Sequence, residues 1–365
     1  MKLMIVVQQY YFMPGHYRKY ADALVHQADH QFVYSSSKDL ALPGSVFVHS
    51  YEREGLGAVD FLLTRIINSF RCYKISVNLL RQNPKAAVHI VELEPMTFML
   101  NFFRNLQRIK VVTVHSVRAT KSNSVFFNIL AAIQKKIFVL SIRSLSSYSN
   151  CIFVMHSKMH KEELQKIVPK LHEERLKVIN YPCDFPKFSK EKKARSKRLL
   201  IFGLLRADKG IYEFLSQFTN LTSCDYSVVV AGRLMDKRIL EFEGVCNVNI
   251  INKYLLQEEV DTLFSASDFV ILPYPLSYAG GAGPLKDSFS ASTPVCCSKI
   301  DLFKEIIEDS KAGLLFDSVA ELMKKLNYIS KEEYHQMAAN AFNYAMRYDW
   351  SYMKTKYEEL YRQDK

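Results

Sequence analysis

Twice along this chain, short apolar, β-branched runs alternate with longer stretches of helical periodicity, and one polar, basic segment separates the two passes. No other feature constrains the fold as strongly. Strands joined through helices pair in parallel, and a continuously apolar strand is buried on both faces of its sheet. The first pass opens with LMIVV (3–7), a loop QQYYFMPGH (8–16) carrying Pro and Gly, and Tyr17, Tyr20, Ala21, Leu24 and Val25 at helical spacing. Further strands are expected at Val88–Val91, Val111–Val114, Cys151–Val154 and Val178–Ile179, with helices over Asp60–Leu80, Pro95–Gln107 and Ser124–Ile142. DFPKFSKEKKARSKR (184–198) has no periodicity and reads as a linker.

The second pass has strands at 199–203, 228–232, 247–251, 269–274, 294–298 and 313–316, and helices near Tyr212–Phe218, Asp236–Phe242, Glu258–Ser265, Leu285–Ala291 and Leu302–Glu308. The expected organisation is an N-terminal doubly wound α/β domain over 1–183, a linker, and a second such domain over 199–345. Residues 346–365, with an amphipathic helix at Ser351–Tyr361, would cross back to the first domain. Two such halves facing one another would bind ligand at their strand C-termini.

The formal charge is +12, and it is confined to one half: residues 1–190 hold 26 Lys and Arg against 13 Asp and Glu, which leaves the remainder at −1. From Pro95 to Lys161 there are ten basic residues and no acid. The helices of this tract interleave the basic residues with Met96, Phe98, Met99, Phe102, Phe103, Phe126, Phe127, Leu130, Ile133, Phe138, Val139 and Leu140. That pattern suits an anionic lipid surface, although the same aromatics could form a core beneath a solvated basic face. No apolar run reaches the length of about 18 residues that spans a bilayer. MKLMIVVQQY is too short in apolar residues for a secretory core, so a cytoplasmic protein is expected. The seven cysteines show no paired spacing and read as buried small hydrophobes. No nucleic-acid-binding module is present. A dinucleotide-dependent oxidoreductase is disfavoured, because the first strand–helix turn holds one glycine, Gly15, and no GxGxxG.

Two segments carry chemistry. In FGLLRADKG (202–210) a strand enters a glycine-containing loop that opens a helix, with Arg206 and Lys209 beside the helix start. Helix-end N–H groups, a guanidinium and an ammonium together suit a diphosphate, although basic strand–loop–helix turns are common in α/β proteins. In LPYPLSYAGGAGPLKDSFSASTPV (272–295) a strand precedes the glycine-rich turn Gly280, Gly281, Ala282, Gly283, with Pro284 suited to the first helical position. Lys286 and Asp287 follow on the first helical turn, where the carboxylate could accept from ribose hydroxyls or simply complement the helix dipole.

Together these stretches resemble the retaining family-4 glycosyltransferases of the GT-B fold, over nearly the whole chain. The family's FG-x-x-R-x-x-KG motif, whose Arg and Lys hold a nucleotide-sugar diphosphate, matches Phe202, Gly203, Arg206, Lys209 and Gly210. SASDFVILPY (265–274) is similar to the segment before the donor loop, and NVNIINKYLLQEEV (247–260) to the nucleobase-side loop. Pro14-Gly15-His16 looks like the family's Gly-His loop, Thr113-Val114-His115 like its Thr-Val-His strand end, and Trp350 like the Trp before its last crossing helix. One departure stands out. The commonest family pattern has two glutamates eight positions apart; the second aligns with Asp287, but the first falls on Ala279. Ala282-Gly283 with Lys286-Asp287 resembles a subset lacking that pair.

The resemblance implies retaining sugar transfer from a nucleoside-diphosphate sugar to a hydroxyl acceptor. Arg206 and Lys209 would be the catalytic cations and His115 would face the donor sugar. Gly203, Gly210, Gly280, Gly281, Ala282, Gly283, Lys286 and Asp287 would bind donor, and Gly15 and His16 acceptor. With Arg and Lys as counter-charge, no metal or other cofactor is expected. The basic tract points to a lipid-linked acceptor and peripheral attachment to the inner face of a membrane. A non-catalytic partner or scaffold of the same fold is the alternative. Glu92 and Glu94 follow a strand and are expected on a solvated loop, and His89, His156, His160 and His335 are expected to be structural.

Overall fold

The computed structural model describes residues 3–8, 16–25, 30–36, 45–49, 58–115, 125–148, 150–186, 196–221, 225–278, 281 and 283–362. It divides into two compact units: Met1–Tyr181 with Trp350–Lys365, and Pro182–Asp349. The first contains β1 (Met4–Gln8), α1 (His16–Val25), β2 (His30–Ser36), β3 (Ser45–His49), α2 (Ala58–Gln82), β4 (Ala87–Ile90) and α3 (Pro95–Phe102). It continues with β5 (Ile109–Val114), α4 (Val125–Ser146), β6 (Ile152–Met155), α5 (Lys158–Ile167) and β7 (Leu176–Val178). The second contains β8 (Arg198–Phe202), α6 (Ile211–Thr219), β9 (Ser227–Ala231), β10 (Val248–Ile251), α7 (Gln257–Ala266), β11 (Phe269–Leu272) and α8 (Gly283–Ser290). There follow β12 (Val295–Ser298), α9 (Asp301–Ser310), β13 (Gly313–Phe316), α10 (Val319–Tyr328) and α11 (Lys331–Arg347), and the last helix, α12 (Trp350–Arg362), returns to the first unit.

Both sheets are parallel, with strand orders β3-β2-β1-β4-β5-β6-β7 and β10-β9-β8-β11-β12-β13. Each chain path begins in the middle of its sheet, runs to one edge, and returns to build the other half. The strand order therefore reverses at β1/β4 and at β8/β11, the places where open α/β sheets leave a crevice at the strand C-termini.

Side-chain alternation along β1 sends Ile5 and Val7 into one buried cluster with Val88, Ile90, Phe98 and Phe102, and Met4 and Val6 into another with Tyr20, Phe32 and Tyr357. The second cluster is where α12 docks, and it is polar as well as apolar. Tyr20 Oη lies 2.5 Å from Tyr357 Oη, which lies 2.7 Å from Thr113 Oγ1. Thr113 Oγ1 is 2.9 Å from His89 Nε2, and His89 Nδ1 is 2.6 Å from Tyr361 Oη. His89 is fully buried, and burial holds its pKa well below the ordinary imidazole value, so it sits in this chain as a neutral ring.

β2 and β3 were not expected from sequence: His30, Gln31 and Ser35 interrupt the apolar run of one, and the other is a half-buried edge strand. The expected helix over Pro95–Gln107 stops at Phe102 and continues as a 3-10 turn, Phe103–Arg108, with Asn105 in a non-helical conformation. Asp236–Phe242 likewise forms a 3-10 turn, Lys237–Phe242, with the Asp236 carboxylate accepting from Arg238 N–H at 3.2 Å.

Candidate functional site

In the second unit, the loops leaving β8 and β11 bring the two chemistry-bearing segments together at the order reversal. Gly203 (φ +109°) ends β8 in a conformation that L side chains rarely adopt, and a Cβ built there would lie 3.3 Å from Pro284 Cγ and 3.6 Å from Lys209 Nζ. One atom beyond hydrogen at this position would crowd both segments. Gly210 (φ +67°) closes the 3-10 turn Ala207–Lys209 and starts α6; its Cβ would fall 2.2 Å from Pro273 O. These two glycines let the β8 loop lie directly against the backbone after β11.

Lys209 is buried at 7% exposure, with its ammonium 5.7 Å from the Tyr274 ring centroid. Burial, with the neighbouring Arg206 charge acting in the same sense and Asp208 and Asp287 in the opposite one, brings its pKa down to about 8. A cation held at this cost to its own ionisation is stabilised by an arriving anion. Arg206 is exposed and makes a two-point contact with Asp208, donating from Nε to Oδ1 at 2.9 Å and from Nη2 to Oδ2 at 2.7 Å. Burial opposes the Arg206 charge, but the Asp208 hydrogen bonds and charge more than offset it, raising the guanidinium's pKa. The contact occupies one edge of the guanidinium and leaves Nη1 clear of it.

Two tyrosines that sequence reasoning did not single out complete the site. Tyr274 and Tyr278 have ring centroids 4.5 Å apart, Tyr278 N–H donates to Pro275 O at 2.8 Å, and Tyr278 Oη donates to Gly281 O at 2.9 Å. Gly281 is thus tied back to the segment after β11. The available signal was the spacing in PYPLSY (273–278), where a turn returns the second ring onto the first. Gly280 and Ala282, with Ala279, lie outside the described residues. Gly283 begins α8, and Asp287 is half-buried one turn on. Lys286, expected among the donor contacts, is instead buried: its ammonium donates to Tyr344 Oη at 3.1 Å and lies 4.7 Å from that ring's centroid. Neighbouring helical residues diverge by about 100°, so Asp287 and Lys286 do not share a direction.

In the first unit, His115 follows β5. Its Nε2–H donates to Val91 O at 2.9 Å, a bond that assigns the tautomer and leaves Nδ1 as the acceptor nitrogen. Burial lowers its pKa to about 4 against the pull of that hydrogen bond, so the imidazole is neutral. It can orient a hydroxyl, whereas an imidazolium assisting a phosphate is not available. The ring packs 4.9 Å from His156 and 5.6 Å from Tyr20. His16 begins α1, and its side chain, like the whole of Gly15, lies outside the described residues. The solvated-loop expectation for the acidic pair does not hold. Glu94 is buried and caps α3, accepting from Met96 N, Thr97 N and Thr97 Oγ1. Burial pushes the Glu92 carboxyl up to about 7, with Arg65 pulling the other way. Among the described residues, no group of three or more His, Cys, Asp or Glu is placed to hold a metal ion.

Residues 184–346 match the family model described as glycosyl transferases group 1. None of the curated proteins matches the chain in sequence. Among solved structures, the chain is similar to sucrose-phosphate synthase from Thermosynechococcus elongatus at 12% identity, covering 100% of this chain and 99% of that one with a TM-score of 0.71. WaaG, a glycosyltransferase involved in lipopolysaccharide biosynthesis, is 14% identical over 99% of this chain and 100% of its own, with a TM-score of 0.68. Anabaena Alr3699/HepE in complex with UDP and glucose is 12% identical over 100% of both chains, also at 0.68. These likenesses establish the GT-B fold, two parallel α/β units.

Proposed function

From a chain whose residues 184–346 match the family model described as glycosyl transferases group 1, we propose an enzyme that moves a sugar from a nucleoside-diphosphate sugar to a hydroxyl of a lipid-linked glycan, with retention of anomeric configuration. The route served would be surface polysaccharide or glycolipid synthesis. The observation that carries this is the meeting of Lys209, Arg206 and the start of α8 at the β8/β11 reversal. A structural neighbour binding UDP agrees with the donor class.

As the anomeric C–O bond breaks, negative charge gathers on the departing diphosphate. Lys209, Arg206 and backbone N–H groups at the start of α8 stabilise that charge, and they do so more in the transition state than in the ground state. The leaving phosphate oxygen takes the acceptor hydroxyl's proton on the face it departs from, which retains configuration without a protein nucleophile. Ala279 at the first family carboxylate position agrees with that economy of acids. Asp287 accepts from ribose hydroxyls. Gly203 and Gly210 admit the backbone approach, and residues 280–283 contact the donor through backbone N–H groups. From the first unit, neutral His115 accepts from a sugar hydroxyl through Nδ1, while Gly15 and His16 serve the acceptor. Two protein cations make a divalent metal unnecessary, and full activity in excess chelator is the expected result.

A thermal-shift panel of nucleotide sugars tests the assignment, because a ligand that binds only the folded state raises the melting temperature by mass action. One donor should stabilise the protein, and Arg206→Ala and Lys209→Ala should each abolish the shift. A protein that responds to none of the panel, or whose response survives both substitutions, is the scaffold of the alternative reading.

A further inference from the structure

At the C-terminal edge of the first unit's sheet, β5 and β6 pair in register up to Val114 and Met155, and the next residue of each strand is a histidine. In-register neighbours on parallel strands point to the same face, and His115 and His156 lie with ring centroids 4.9 Å apart. No sequence spacing pairs them; the strand register does. Each ring is held from its own side. His115 donates to the carbonyl of Val91, just after β4, and His156 donates from Nδ1 to the carbonyl of Ile179, just after β7, at 2.8 Å. The second bond fixes the chain two residues before Tyr181.

Tyr181 stands edge-on to His156, with centroids 5.0 Å apart and an interplanar angle of 86°, and lies 6.5 Å from His115. Trp350, the first residue of α12, is 6.1 Å from Tyr181 at 74°. Tyr20 of α1 is the buried member of the group, 5.6–6.2 Å from the other four rings, with its hydroxyl committed to Tyr357. The other four are only partly buried, and all five belong to the first unit. The chemistry of this edge is therefore aromatic surface plus the acceptor nitrogen Nδ1 of neutral His115. An acceptor without a positive charge suits a hydroxyl and opposes a phosphate. Tyr181 and Trp350 meet as a corner and not as a parallel slot. A puckered pyranose, with C–H groups on its faces and hydroxyls around its rim, fits such a corner, whereas a flat nucleobase stacks on parallel faces.

We propose that Tyr181 and Trp350 form the aromatic wall of a binding subsite for one pyranose ring, whose hydroxyl donates to His115 Nδ1 while His156 positions Tyr181 through Ile179. The subsite deepens the glycosyl-transfer reading and rests on it for its purpose: the ring belongs to the acceptor glycan or to the transferred sugar, which share this chemistry.

Trp350, the chain's single tryptophan, is the reporter for the test. Emission of the full chain is followed on titration with the methyl pyranosides of glucose, galactose and mannose, with UDP and GDP, and with UDP-glucose, UDP-galactose and GDP-mannose. At least one pyranoside or nucleotide sugar should change the emission saturably, and neither diphosphate alone should. A pyranoside response that persists with nucleotide sugar bound identifies the ring as the acceptor's; one that the nucleotide sugar displaces identifies it as the transferred sugar, and both uphold the subsite. Tyr181→Ala should weaken binding about tenfold and Tyr181→Phe should keep it, since the ring and not its hydroxyl makes the contact. Melting temperatures of the two variants separate a lost contact from lost folding. The proposal is overturned by emission that no sugar moves, by an equal response to the diphosphate alone, which marks a nucleobase platform, or by a response that Tyr181→Ala leaves intact. Arg206→Ala and Lys209→Ala should retain the pyranoside response, so a chain that binds pyranosides but no nucleotide sugar keeps the subsite while the donor reading fails.

Discussion

With Lys209 holding the donor diphosphate as proposed, donor affinity should depend on pH in a direction set by the lysine's burial. Burial first, and the Arg206 charge with it, bring its pKa down to about 8. An uncomplexed Lys209 is therefore about 90% protonated at pH 7 and about 10% protonated at pH 9. A bound diphosphate favours the ammonium, so above pH 8 the complex takes up a proton that the free protein lacks. The affinity for a nucleotide sugar should be nearly flat below pH 7.5 and fall about tenfold between pH 7 and pH 9, equivalent to about 1.4 kcal/mol. The facing groups do not share this window: burial pushes Tyr274 and Tyr278 upward, and Arg206 is raised through Asp208. The sign for stability is consistent. With the folded pKa below the unfolded one, the unfolded chain binds more protons between about pH 8 and 10.4, so this group's contribution to stability rises with pH through that window. Calorimetric titration with the stabilising nucleotide sugar, in two buffers of different ionisation heat, should show about one proton taken up per ligand at pH 9 and about none at pH 7. Lys209→Arg should flatten the profile, because guanidinium does not titrate there. Wild-type affinity independent of pH up to 9.5, or a slope that persists in Lys209→Arg, would refute the reasoning.

Three further outcomes are expected. Asp208→Asn removes the charge that holds one edge of Arg206; donor KM should change by less than about tenfold with kcat shifting alongside it, as for an exposed pair that orients a binding group. Gly210→Ala places a Cβ 2.2 Å from Pro273 O in a left-handed conformation, and denaturant titration should show a loss of at least about 1–2 kcal/mol from backbone strain alone. Tyr357→Phe deletes the hydroxyl between Tyr20 and Thr113 in a buried chain; a loss of about 1–3 kcal/mol is expected, with proteolysis detecting release of α12.

The sequence by itself determined the parallel α/β architecture, because apolar runs buried on both faces, such as LLIFG and VVVAG, have few other stable arrangements. It also singled out Arg206, Lys209, Gly203 and Gly210 as the proposed diphosphate site, since a diphosphate would need cations, helix-end amides and close backbone approach within one turn. Edge strands such as β3 escaped it, because a half-buried strand carries only half of the apolar signal. Tertiary structure alone decided direction. Lys286 and Asp287 are adjacent in sequence, yet the packing of α8 on α11 buries one against Tyr344 and leaves the other acting on Lys209. Glu94 is identical in type to Glu92, but only its position before Pro95 makes it a helix cap. The basic tract likewise divided, Arg108 and Lys110 turning inward while Lys135 and Lys136 face out. Composition records which groups a chain possesses; what each group can do depends on which side of a sheet or helix the packing gives it, and that is settled by contacts as local as the Glu94 cap and as distant in sequence as Lys110 with Tyr361.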